Sequence, residues 1–201
     1  MTDKIFREKM IQTFLNSGFS SFDERGALEL LLYFSVKKDD PKLIAQRLMQ
    51  HFGTIAAVFD STTEELLTIE GVDKDSALLI KLIPQIARRY LVSKTNADFV
   101  INGPKKAGEY LLPYFFGELN ETFYMVCLDF KGRVLNCRKM FTGDINSTSL
   151  SIRNIVSNAL GSNAAAVVVA HNHPSGFALP SNEDVETTRK IEIALASVGV
   201  T

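Results

Sequence analysis

Ala170-His171-Asn172-His173-Pro174-Ser175-Gly176-Phe177-Ala178-Leu179-Pro180-Ser181-Asn182-Glu183-Asp184 gathers two imidazoles, two hydroxyls and two carboxylates within fifteen residues. Its spacing matters more than its content. The preceding run, Ala164 to Ala170, is short, apolar and rich in valine, which predicts a buried strand. If that strand continues, His171 and His173 stand at i and i+2 and leave the same face, so two ring nitrogens converge on one point. Pro174, Gly176 and Pro180 forbid regular structure after them, and the chain can loop back before Ser181 opens a final helix over Asn182 to Val198. Asp184 then projects from that helix's first turn. Two histidines and one aspartate leave a fourth tetrahedral position open to water, the ligand count of a catalytic zinc site. Ser181-x-x-Asp184 is also the pattern of a helix capping box, which needs no metal, and Ser181 can serve both purposes.

Upstream of this stretch, Phe123 to Asp129 reads as a strand that turns at Lys131-Gly132 into a second strand over Arg133 to Phe141. Ala107 to Phe116 and Leu150 to Leu160 carry helical spacing. The part from residue 99 to residue 201 is therefore mixed α/β. The part before it differs in period. Phe6, Met10, Ile11, Phe14 and Leu15 form a helical stripe ending at Asn16-Ser17-Gly18. Further helices are predicted from Phe22-Asp23 to Tyr33, Leu43 to His51, Ile55 to Phe59, Thr63 to Leu67 and Ser76 to Tyr90, with Gly53 as a C-cap and Pro84 as the place of a kink. The polar run Ser93 to Asp98 separates a helical domain, 1–95, from the α/β domain, 99–201.

Composition limits the functions open to the chain. At 201 residues with 46% hydrophobic and 22% charged content it can bury a core, and intrinsic disorder is excluded as its general state. Its longest apolar run is far too short for a bilayer, and a charged N-terminus is unlike a signal peptide, so a cytoplasmic location without a membrane partner is expected. Cys127 and Cys137 are expected to be reduced and structural. With 22 basic and 23 acidic residues, the chain has no overall charge that would hold nucleic acid. Neither half is basic: there are 13 basic and 13 acidic residues up to Lys94, and 9 and 10 beyond it.

His171-Asn172-His173, seven residues, Ser181, two residues and Asp184 match without a gap the His-x-His-x7-Ser-x2-Asp signature of JAMM (MPN-plus) metalloproteases. The flanking Pro174-Ser175-Gly176 and Pro180-Ser181-Asn182-Glu183-Asp184 resemble the RadC-type branch, bacterial proteins named for DNA repair. The resemblance covers nearly the whole chain. It implies a JAMM/MPN-like α/β (α+β) domain with a central mixed sheet flanked by helices, behind a small all-α, helix-hairpin-helix-like domain. By the same resemblance, His171, His173 and Asp184 bind Zn2+, and Ser181 hydrogen-bonds the oxyanion or the bound water. Glu121, just before Thr122-Phe123-Tyr124, would be the general base, with Glu118 the competing choice if the strand starts earlier. A carboxylate so placed takes a proton from the water and returns it to a leaving amine. Two features depart from the family's pattern. Ser151-Ile152-Arg153-Asn154 stands where relatives commonly have His-Pro-Arg-Glu, and relatives continue past Val198-Gly199-Val200-Thr201 into a strand bearing an Asp-His pair. The domain thus reads as truncated at its C-terminus, with a sheet lacking an edge.

Glu65 to Ile80 resembles a helix-hairpin-helix, whose Gly-x-Gly turn brings backbone N–H groups to a DNA phosphate. Here the turn reads Gly71-Val72-Asp73, and Asp73 sets a negative charge where a second glycine is usual. Any DNA contact through the helical domain is expected to be weak. Two main function classes follow: a zinc-dependent amide hydrolase acting on an unidentified peptide or protein, and a non-catalytic DNA-associated module with a structural or vestigial metal site. A metal-dependent nuclease is a third, lesser reading.

Overall fold

The computed structural model describes residues 2–95, 98–143, 151–174 and 176–201. The expected interdomain residues Asn96 and Ala97, the helix start at Leu150, and Ser175 of the motif lie outside the described residues. The chain divides into two compact units, Met1–Ala87 and Arg88–Thr201.

The first unit is helical. It contains α1 (Thr2–Ser17), α2 (Glu24–Leu32), α3 (Pro41–Phe52), α4 (Ile55–Asp60), α5 (Thr63–Leu67) and the start of α6 (Lys74–Ser93), which runs through Pro84. Side-chain caps set the starts of four of these: Asp23 accepts from Gly26 N–H, Asp40 from Lys42 N–H, Thr54 from Ala57 N–H and Thr62 from Glu65 N–H. Gly53, at φ +84°, closes α3 as expected. The core is a cluster of fully buried aliphatics, among them Leu28, Leu32, Ile44, Leu48, Leu66 and Ile80.

In the second unit, α7 (Pro104–Phe115) precedes the hairpin β1 (Thr122–Leu128) and β2 (Val134–Thr142). Then come α8 (Ile152–Gly161), β3 (Ala166–His171) and α9 (Asn182–Ala196). The strand order is β2-β1-β3 with β1 antiparallel to both neighbours, so the central sheet, expected to be mixed, is antiparallel among the described strands. Every residue of β1 is buried, because both of its faces are covered. Phe123, Met125 and Cys127 pack with Ile155 and Ala159 of α8 and with Ile191 and Leu195 of α9. Tyr124, Val126 and Leu128 face Ile101 and the α7 residues Tyr110 and Leu111. The period-2 alternation of β1 thus divides one apolar run between two cores. Both cysteines are free thiols, Cys127 on the first of these faces and Cys137 packed against the second.

The hairpin turns at Gly132, whose φ of +74° suits glycine and whose Cβ, if present, would lie 2.6 Å from the carbonyl oxygen of Ile101. That approach admits a bridge between Val100 and Arg133 and a hydrogen bond from Ile101 N–H to Gly132 O at 2.8 Å. At β3, Val167 N–H donates to Thr201 O at 2.7 Å and Thr201 N–H to Ala165 O at 3.1 Å, so the chain's last described residue pairs with this strand. No helix among the described residues is long and apolar enough to cross a membrane.

Candidate metal centre

The register of β1 with β3 builds the site. Phe123 lies opposite His171, so the end of β3 meets the start of β1, and Glu121 one residue before β1 comes beside the histidines. The Phe123 ring lies nearly parallel to the His171 imidazole, 13° between planes and 6.4 Å between centroids. Beyond His173 the chain turns at Gly176, whose φ is +83° and whose N–H donates to His173 O at 2.9 Å. His173 Nδ1 is 2.6 Å from Phe177 O. A carbonyl can only accept, so Nδ1 carries the proton and the Nε2 lone pair is left free.

Ser181 then caps α9, and the cap and the site share one carboxylate. Asp184 Oδ2 accepts from Ser181 N–H and Ser181 Oγ–H, each at 2.7 Å, while Asp184 N–H donates to Ser181 Oγ at 3.1 Å. Asp184 Oδ1 is 3.3 Å from His171 Nε2, and Oδ2 is 3.5 Å from His173 Nε2. The capping box and a ligand role are therefore compatible, because Oδ1, toward His171, takes neither of the cap hydrogen bonds that Oδ2 accepts. The Ser181 hydroxyl, expected to face an oxyanion or water, directs its proton to Asp184. Burial raises the Asp184 carboxyl, but the Ser181 hydrogen bonds and the two imidazoles together outweigh it and hold the group below its usual 3.8.

The two Nε2 atoms are 2.7 Å apart, and Glu121 Oε1 is 4.0 Å from His171 Nε2. One ligand atom from each of Glu121, His171, His173 and Asp184 lies within 4.8 Å of the others, so the cluster can hold a metal ion. Neighbouring donors in a tetrahedral site with bonds of about 2.0–2.2 Å are roughly 3.3–3.6 Å apart, close to the His–Asp separations here. With His173 Nε2 as acceptor, the short His–His contact needs a proton from His171 Nε2, and a cation can take that proton's place. Two neutral nitrogens and carboxylate oxygens, half-buried to buried, fit a small divalent ion.

Glu118 is elsewhere. It ion-pairs with Arg88 and, at 2.5 Å, with Lys139, and it accepts from Tyr124 OH at 3.3 Å. Burial raises its carboxyl, but Lys139 and Arg88 reverse that and leave it below its usual value. Burial and the Glu118 charge push the Tyr124 phenol up to about 12. Asn154, at the position of the family's glutamate, is in the first turn of α8, with its N–H bonded to the capping Ser151 Oγ at 3.3 Å.

Two features at the site went unmarked in the sequence. A hollow of about 320 Å³ opens at His171 and His173, walled by Leu112 and Phe115 of α7 and by Ala178 and Pro180. Asn172, between the histidines, bonds to the segment that carries Glu121. The hollow depends on α7, distant in sequence, and carries no local signal. Asn172 carried a weak one, a polar side chain between the two histidines that alternation directs away from them.

A family model described as the RadC-like JAB domain matches residues 101–201. The chain is 31% identical over 194 residues to UPF0758 protein HEAR2468 of Herminiimonas arsenicoxydans, covering 96% of this chain and 85% of that protein. It is also 31% identical over 186 residues to UPF0758 protein ACIAD3126 of Acinetobacter baylyi, covering 92% of this chain and 69% of that one. With the domain match spanning the sheet and all four clustered side chains, and the similarity to both relatives running on through the helical unit, the chain belongs to the RadC-type branch of the JAB/MPN superfamily.

Proposed function

We propose that this chain is a zinc-dependent amide hydrolase, a metallopeptidase or isopeptidase of the JAMM type, working in the cytoplasm where its two thiols stay reduced. The observation that carries the reading is the convergence of Glu121, His171, His173 and Asp184, with the two histidines also lining an open hollow. His171, His173 and Asp184 hold the ion. When bound, zinc supplies Lewis-acid polarisation of a carbonyl and lowers the pKa of a water. Glu121 accepts the proton of the attacking water and delivers it to the leaving nitrogen. His173 is kept in the ligating tautomer by the Phe177 carbonyl, and Ser181 orients Asp184. Leu112 and Phe115 give the hollow an apolar wall against which an apolar part of a substrate would lie.

The reading of a non-catalytic DNA module has less support. Asp73 Oδ1 accepts from Ser76 N–H at 2.8 Å and so occupies the start of α6, where a phosphate would have to bind. Metal content of protein purified without added metal, compared with His173→Ala, tests the hydrolase. About one zinc per chain, lost in the variant, is the expected result. Glu121→Ala then keeps zinc at saturating concentration and loses cleavage of a quenched-fluorescence peptide library. Folded wild type that takes up no zinc would sink the reading.

A further inference from the structure

We infer that Asn172 is a positioning residue that clamps the Glu121 backbone to the histidine loop, so that one side chain sets the distance between the proton-transfer group and the metal ligands. The inference rests on the metal-centre reading above and deepens it. Asn172 Oδ1 accepts from Thr122 N–H at 2.8 Å, while its Nδ2 donates to Glu118 O and Asn120 O, each at 3.2 Å. Asn120 O and Thr122 N–H are the backbone groups on either side of Glu121. The amide therefore brackets that residue, and its two ends cannot be exchanged: the oxygen meets an N–H and the nitrogen meets two carbonyls.

Asn172 is itself fixed by its neighbours. Its N–H donates to Thr122 O at 3.4 Å, and it stands between His171 and His173, so displacement of Glu121 relative to the ligands must break the clamp or move the histidines. The far side of the segment is anchored independently. The Glu118 carboxylate accepts from Lys139 at 2.5 Å and from Thr122 Oγ at 3.4 Å and pairs with Arg88, and Gly143 N–H donates to Glu121 O at 2.8 Å. Glu121 stands ahead of β1, outside the β1–β3 ladder, so these bonds take the place of sheet pairing where the geometry of a carboxylate matters most.

The test is a double-mutant cycle in zinc affinity, with amide exchange as a second readout, on the full chain. Asn172→Ala and Glu121→Ala are each expected to weaken zinc binding about tenfold, the low end for groups that orient a metal site, and the double variant is expected to bind no more weakly than the worse single one. The Thr122 amide is expected to exchange at least tenfold faster in metal-free Asn172→Ala. Losses that multiply to about a hundredfold in the double variant, or unchanged affinity in Asn172→Ala, overturn the clamp, because Asn172 would then act apart from Glu121. A general loss of packing would lower the melting temperature without this coupling. Asn172→Ser, which keeps a smaller polar group, carries the same comparison if Asn172→Ala fails to fold. Wild type that binds no zinc overturns the metal reading instead, and the clamp is then decided by Thr122 exchange alone, where an unchanged rate defeats it.

Discussion

Asp184 performs two tasks with one carboxylate, and Ser181 joins them. The serine hydroxyl accepts the Asp184 N–H that opens α9 and donates to Asp184 Oδ2 beside the imidazoles. Ser181→Ala is expected to cost about 1 kcal/mol of stability in the metal-free protein, as loss of a helix N-cap does. It is also expected to weaken zinc binding about tenfold, because the Asp184 carboxylate loses the hydroxyl bond and is aimed by the backbone N–H alone. A thermal melt without metal and a zinc titration measure the two effects separately. A lower melting temperature with unchanged affinity would reduce Ser181 to a cap. At this scale the site was largely legible in the sequence. The residues from His171 to Asp184 are close along the chain, although β3 ends at His171, so His173 reaches the same point from the loop rather than by strand periodicity. Glu121 and Glu118 were not separable by local pattern, since only the start of β1 decides which carboxylate faces the imidazoles. The structure brings Glu121 there and gives Glu118 to Arg88 and Lys139.

Among the elements, legibility followed punctuation. α4 and α5 were readable to within a residue, in keeping with their caps Thr54 and Thr62, whereas α3 starts at Pro41, two residues ahead of the expected Leu43, because a proline fits the first position of a helix, and Gly53 ends it. The hairpin was readable from Lys131-Gly132, where a positive φ and the nearness of the Ile101 carbonyl both require glycine. What was not legible is what lies across the sheet. Strand periodicity says that Phe123 and Tyr124 face opposite ways, but not that one meets α9 and the other α7, because those partners lie far off in the chain. The hollow at the histidines is therefore missed by the same reasoning that finds the histidines. Its walls come from α7, which precedes β1, while its histidine edge comes from the end of β3 and the loop after it. Asn172 escaped for a related reason, since its partners are set by the β1–β3 register.

Across the molecule, each unit carries a glutamate displaced from its usual titration, buried Glu29 upward and half-buried Glu118 downward. In the helical unit, burial raises the Glu29 carboxyl above its usual 4.5; Arg25 is 3.8 Å from one oxygen, and the other has no hydrogen-bond partner. The folded state then holds its proton more tightly than the unfolded chain, so this group's stabilising effect is complete below about 4.5 and is lost as pH rises through the folded value. Glu118 in the sheet unit is depressed, so its contribution is present above about 4.5 and is lost as pH falls through its folded value. Hydrogen exchange followed by peptide and compared between wild type and variant should show Glu29→Gln changing the helical unit's response to acidification in the opposite sense to the change that Glu118→Gln makes in the sheet unit, on top of what the lowered Glu65 and Asp73 carboxyls add to the helical unit. Variant differences of the same sense in both units would contradict these assignments.

Zinc gives an independent separation, because all four clustered groups lie in the second unit. An ion that binds only the folded state adds about 2.7 kcal/mol at a free concentration a hundred times its dissociation constant. That increment should slow exchange in peptides of β1, β3 and α9 and leave α2 and α3 unchanged, and chelation should reverse it. Protection spread equally over both units would mean that they unfold together, so that an ion held by three side chains of one unit stabilises the core of the other.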